Sequence, residues 1–146
     1  MKYLGIDYGT RRIGVAVSDE SATLAFPLGV VGNSPSTALG ALKEVCDIAK
    51  ENAVVQVVMG ESKDYSGVAN PVMKEVEKFK AALEAEGLDV VYEPEYMSSM
   101  AAARQFAPEE KSRKANPNQE LLDASAAALI LQNFLDRNRK REFEVE

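Results

Sequence analysis

The stretch that most constrains this chain is Lys2 to Asp19, Lys-Tyr-Leu-Gly-Ile-Asp-Tyr-Gly-Thr-Arg-Arg-Ile-Gly-Val-Ala-Val-Ser-Asp. Two apolar runs of strand length, Tyr3 to Ile6 and Ile13 to Val17, flank a tight link that holds Gly9 and Thr10. That arrangement predicts a β-hairpin. Asp7 does not fit a plain one. It follows Ile6 at the end of a strand expected to be central, where a carboxylate needs a cation or strong donors. Gly9 lets the backbone approach a ligand closely, and Thr10, Arg11 and Arg12 suit an anionic one. The turn reads as a handler of metal or phosphate. The alternative is an Asp that orders its own turn by bonding the backbone, and this stretch does not choose between the two.

Downstream, Thr23 to Val31 predicts a third strand, with Pro27 marking an edge or a bulge. Asn33 to Ser36 forms a loop, Ser36 is a helix cap, and a first helix is expected to about Asn52. Leu39, Leu42, Cys46 and Ala49 fall there at helical spacing, which makes Cys46 a core residue and not a nucleophile. Val54 to Met59 is apolar and β-branched, a buried strand ending at Gly60. Gly60 to Asn70 is polar and irregular. Asn70-Pro71 opens a second helix with an apolar stripe of Val72, Val76, Phe79 and Leu83, and Gly87 stops it. Leu88 to Tyr92 is the fifth strand, and Glu93 after it is expected to face solvent. Ser98 is placed to cap a short helix through Phe106. Ala107 to Ala115 is a charged loop. Asn116, Pro117 and Gln119 start a last helix that runs to about Asp136, and the charged tail, about 137–146, is expected to fray. The order β-β-β-α-β-α-β-α-α over residues 1–146 defines one α/β domain with a mixed sheet.

The chemistry open to such a domain depends on what its composition lacks. It has no histidine, which removes the usual general base, the usual zinc ligand and any Ser-His-Asp triad. Cys46, the single cysteine, cannot form an internal disulfide, so a reducing cytoplasm is expected. No run of ~18 apolar residues predicts a membrane span, and the first residues lack a signal peptide's long apolar segment. The net charge of −6 argues against a non-specific nucleic-acid coat. It leaves room for a local basic patch beside an acidic, metal-filled site.

Carboxylates must then carry the chemistry. Asp7 and Glu95 follow strands one and five. Asp123 lies two turns past Asn116, too deep for the helix dipole to account for it. Its same-face neighbours Ala126, Ala127 and Ile130 offer no charge partner. Three carboxylates from three distant segments suit Mg²⁺ or Mn²⁺ held through oxygen, and such sites hydrolyse phosphodiesters. Against this stands the reading of three unrelated surface acids among the 23 Asp and Glu of the chain. Glu61, Asp64 and Glu93 are lesser candidates. Lys111, Arg113 and Lys114 form either a phosphate contact or a solvated loop, and Tyr96 either stacks on a base or packs.

Gly5 to Asp19 resembles the opening signature of the YqgF/RuvX family, RNase H-like proteins described as Holliday junction resolvases and as nucleases maturing the 5′ end of pre-16S ribosomal RNA. Val57 to Gly60 with Ser66-Gly67, and Leu122 to Gln132, resemble the family's glycine-bearing loop and last-helix motif. The resemblance spans nearly the whole chain. It implies an RNase H-like five-stranded mixed sheet flanked by helices. It also implies a metal-dependent endonuclease in which Asp7, Glu95 and Asp123 are catalytic and hold Mg²⁺ or Mn²⁺. Pre-16S rRNA or branched DNA is then the partner, with Thr10, Arg11, Arg12, Lys111, Arg113 and Lys114 as candidate contacts. One place departs from the pattern. After strand five the family usually has Asp-Glu-Arg, where this chain reads Pro94-Glu95-Tyr96, so a phosphate-gripping arginine is replaced by a side chain without its charge. Two other readings stand beside this one. One is a non-catalytic RNA-binding or ribosome-assembly module. The other is an actin- or sugar-kinase-like ATP-binding domain, whose first phosphate loop Asp-x-Gly-Thr also resembles, although this chain has no second copy of that motif.

Overall fold

The hairpin forms as its sequence predicts. Strand β1 (Lys2–Tyr8) pairs antiparallel with β2 (Arg12–Ser18), Asp7 opposite Gly14 and Tyr8 opposite Ile13. The computed structural model describes residues 1–9, 11–34, 38–61, 71–94 and 117–144. Strand β3 (Ala25–Gly32) continues the meander on β2. Helix α1 (Ala38–Glu51) then crosses to β4 (Val54–Glu61), and α2 (Pro71–Ala85) crosses to β5 (Val90–Pro94). The last helix, α3, is Pro117–Glu144. Both β4 and β5 are added in parallel, giving a mixed five-stranded sheet in the order β3-β2-β1-β4-β5. The apolar β1 is therefore central, as its composition requires.

The two-residue period of the strands divides the core between the two faces. Leu4, Ile6, Ile13, Val15, Val57 and Met59 meet Val45, Val76, Phe79 and Leu83 on one face. Ala16 and Val58 meet Ala127, Ile130, Leu131 and Leu135 of α3 on the other. The α3 face of the sheet is low because glycines sit in it. A Cβ at Gly5 would fall 2.7 Å from Leu131 Cβ and 2.8 Å from the Ala127 carbonyl. The helix backbone thus rests almost on the strands.

Several boundaries differ from expectation for local reasons. The third strand starts at Ala25 and not at Thr23, because the Asp19 carboxylate accepts bonds from the Thr23 and Leu24 N–H groups and the Ser21 hydroxyl. The Thr23 N–H above all holds that carboxyl below its ordinary pKa. Pro27 lies on an edge strand and beside a register shift at Val15/Ala16, so both predicted explanations apply. The fifth strand starts at Val90 because the end of α2 consumes Leu88. Gly87, at φ 91°, lets its N–H reach the Glu84 carbonyl and the Leu88 N–H reach that of Leu83, a Schellman closure. Leu39 is exposed, and α1 buries Ala41, Val45, Cys46 and Ala49 instead, its buried face starting at Ala41. Cys46 is a core residue, as its spacing implied; burial pushes its thiol pKa up. Met73 joins Val76, Phe79 and Leu83 in the stripe of α2.

The predicted tail is helical: α3 continues to Glu144. Ion pairs along it support the extension, Arg139 with Asp136 at 2.6 Å and Arg137 with Glu93. The second pair also overturns the expected exposure of Glu93. Only 3% exposed, it is buried beneath α3, with the arginine supplying the charge that lets a carboxylate sit there. Ser36, Asn70, the expected helix from Ser98 to Phe106, the loop from Ala107 to Ala115 and Asn116 lie outside the described residues.

Candidate acidic site

Alternation along β1 sends Leu4 and Ile6 into the α1/α2 core, which leaves Gly5 and Asp7 on the face that α3 covers. Asp7 is only 6% exposed. Its cross-strand partner is Gly14. Gly14 carries no side chain, and the backbone of Asp123 occupies that space: a Cβ at Gly14 would lie 2.0 Å from the Asp123 carbonyl oxygen. One missing side chain therefore lets a helix residue settle beside a strand-end acid. Asp123 is 7% exposed. Two acids 116 positions apart in sequence thus occupy adjoining places (123 less 7).

Asp123 also has a charge partner, contrary to expectation. Arg12 Nε donates to its Oδ2 at 2.9 Å. The cation comes from β2 and not from the helix, so inspection of helical neighbours could not reveal it. Arg12 is a partly buried residue tied to an acid, whereas Arg11 is exposed. Asn33 ties down both sides of the hairpin turn, at Gly9 and at Arg11. Its side-chain amide donates to the Gly9 carbonyl at 2.9 Å, and its backbone N–H donates to the Arg11 carbonyl at 2.9 Å. Asn33 is itself buried. In sequence it looked like the start of a loop; its place directly after a strand was the one available signal. At Gly9 a Cβ would fall 2.5 Å from the Arg12 carbonyl, so the turn closes too tightly for a side chain.

Strands β1, β4 and β5 are mutually parallel, so their C-terminal ends share one side of the sheet. Asp7 and Glu61 lie at two of those ends, and Glu95 follows Pro94, the last residue of the third. Glu95, Asp64, Tyr96, Thr10, Lys111, Arg113 and Lys114 lie outside the described residues. Among the described residues no group of three or more His, Cys, Asp or Glu side chains is placed to hold a metal ion. The structure thus ties Asp123 to Arg12, seats the Asp123 backbone on Gly14, the cross-strand partner of Asp7, and turns Glu93 to Arg137.

Solved structures of low identity share this fold. Thermus thermophilus RuvC is 20% identical, with a TM-score of 0.57 over 94% of this chain and 96% of its own. The fowlpox virus Holliday junction resolvase is 13% identical, with a TM-score of 0.55 over 94% and 99%. The architecture is accordingly that of the RNase H-like resolvases. At the level of family, the description "RuvX: Holliday junction resolvase" matches residues 1–137, and the chain belongs to the RuvX family. A relative from Geobacillus kaustophilus is 37% identical over 140 residues, covering 95% of this chain and 100% of its own. One from Bacillus cereus (strain AH187) is 34% identical over 138 residues, covering 94% and 99%. Both carry the name "Putative pre-16S rRNA nuclease". Among the described residues no helix is long and apolar enough to cross a membrane.

Proposed function

We propose that this protein is a metal-dependent endonuclease that hydrolyses phosphodiester bonds in structured nucleic acid, with the 5′ end of pre-16S rRNA as its substrate and branched DNA as the second choice. The observation that supports the reading is that the buried Asp123, its carboxylate bonded by Arg12, is seated by its backbone on Gly14, the cross-strand partner of the buried Asp7. The names of the two relatives supply the choice of RNA.

The donor set fits a hard cation. Asp7, Asp123 and Glu95 would hold Mg²⁺ or Mn²⁺ through carboxylate oxygens. When bound, such ions supply an activated water and neutralise the leaving oxygen, two of them together in the two-metal form. The protein's own part is orientation and charge. Arg12 steers the Asp123 carboxylate by bonding one of its oxygens. The Asn33 bonds hold the turn after Asp7 in one shape. Arg11 is exposed beside that turn and suits a contact to the phosphate backbone, as do Thr10, Lys111, Arg113 and Lys114 by residue type.

Asp123→Asn separates structural from chemical roles. It removes a charge-assisted bond to a partly exposed arginine, so without metal the variant should unfold ~1–2 kcal/mol more easily than the parent. It should also lose most of the rise in melting temperature that Mn²⁺ gives the parent by mass action. Calorimetry with Mn²⁺ and with EDTA measures both. A normal metal response in the variant would remove Asp123 from the ligand set.

Incubation of the pure protein with precursor rRNA and with a four-way DNA junction, in Mg²⁺, Mn²⁺ or EDTA, tests the function directly. Metal-dependent cuts at mapped ends are expected, on the RNA first. Binding of RNA that is equal in metal and in EDTA, with no cut, would instead identify a non-catalytic binding module.

A further inference from the structure

We propose that the outer edge of β3, together with the groove between β3 and α1, docks an extended apolar segment of a partner protein that carries lysine or arginine side chains. Edge strands are usually blunted by charge or by brevity, because their unpaired N–H and C=O groups recruit other strands. The strand β3 has neither of these: it spans eight residues, Ala-Phe-Pro-Leu-Gly-Val-Val-Gly, none of them charged, and its proline and register shift lie at Pro27 to Gly29, ahead of the regular pairing of Val30 to Gly32. Leu24, Phe26 and Leu28 are 51%, 49% and 47% exposed within one short run. Clustering of that kind, in contrast to scattered exposure, marks an interaction surface. Pro27 has no N–H to give, so the stretch fit for pairing is Leu28 to Val31.

Beside this stretch lies a groove of about 580 Å³. Leu28 forms its strand side, Val15, Val31 and Ile48 its apolar part, and Glu44 and Glu51 its helix side. Among the described residues no lysine or arginine lines it. Glu44, Ile48 and Glu51 are spaced i, i+4, i+7 and so share one face of α1. A segment added along β3 would bond the strand's outer backbone and aim a cationic side chain at two carboxylates, the recognition mode of strand addition. A second copy of this chain fits worse. Its own β3 brings no cation to Glu44 and Glu51, and two chains of net charge −6 repel.

The test uses two fluorescein-labelled peptides, Lys-Val-Lys-Val-Lys-Val-Lys and its counterpart with glutamate in place of lysine, with the full-length protein. The lysine peptide should bind and shift the amide resonances of Leu28 to Val31. The glutamate peptide should bind roughly tenfold more weakly or less, as opposed charge dictates. Glu44→Lys/Glu51→Lys should reverse that preference; both positions are exposed on a helix, and circular dichroism checks the fold. Equal binding of both peptides, shifts confined to residues around Asp7 and Asp123, or an unchanged preference in the double variant would each overturn the proposal. So would self-association of the parent that Leu28→Lys abolishes, since the occupant would then be a second copy.

Discussion

Asp7→Asn is expected to abolish cleavage while leaving the protein folded. The amide keeps the shape of a side chain that is only 6% exposed, so packing around it changes little. What it loses is the negative charge, the property by which this position would hold a divalent cation. Charge stabilisation of the reacting phosphate by such a site amounts to several kcal/mol. Each 1.36 kcal/mol is a factor of ten in rate, so a drop on the order of a thousandfold or more follows. The measurement is single-turnover cleavage of precursor rRNA and of a four-way DNA junction, together with the melting temperature in EDTA and in Mn²⁺. A variant that is stable, insensitive to Mn²⁺ and inactive is the expected outcome. Retained metal-dependent cleavage would remove Asp7 from the site and leave it an acid that merely orders its turn.

Gly14→Ala should be strongly destabilising. A Cβ there would lie 2.0 Å from the Asp123 carbonyl oxygen, 2.6 Å from its carbon and 3.3 Å from the Ala124 nitrogen. All three are backbone atoms of a helix, so no side-chain rotation can relieve the clash. Helix α3 must lift away from β2, and the layer of Ala127, Ile130 and Leu131 must lift with it. Overpacking ordinarily costs ~1–3 kcal/mol, and a rigid backbone obstacle places this case at or above the top of that range. The same displacement would carry Asp123 from Asp7, and a misplacement of about 1 Å can cost on the order of a hundredfold in rate. Urea denaturation followed by circular dichroism measures the first effect, and cleavage by the surviving folded fraction the second. Gly29→Ala, where nothing lies within 4 Å of the added methyl, is the internal control and should stay within about 0.5 kcal/mol of the parent. Equal stability of the two variants would show that α3 is not seated on Gly14.

Much of this fold was legible in the chain because its strands are short, apolar and bounded by turn residues. Lys2 to Asp19 specified its hairpin completely, since both arms are of strand length and the link is too short for anything else. Pro27 announced an edge, Gly87 a helix end, and the spacing around Cys46 a buried helix face, each through a local property of one residue type. The acids Asp7 and Asp123 stood out in the same way, as ionisable groups in apolar runs.

Other features depend on partners that are distant along the chain, and those no local pattern can supply. Glu93 alternates with Tyr92 and looked solvent-facing; it is buried because Arg137, from a helix that outlasts its apolar stripe, comes to meet it. Asp123 gained Arg12 for the same reason, across 111 positions. Asn33 became a fixed part of the turn only when β3 brought it alongside Gly9 and Arg11. Gly14, one glycine among several in the motif, proved to be the seat of α3. The sequence by itself determined the order of the strands and helices that the structure describes and marked Asp7 and Asp123 as acids in apolar surroundings, because those follow from propensity and periodicity. Only the tertiary structure decided which charges meet and how closely the helix approaches the sheet, because both depend on contacts between residues that the chain holds far apart.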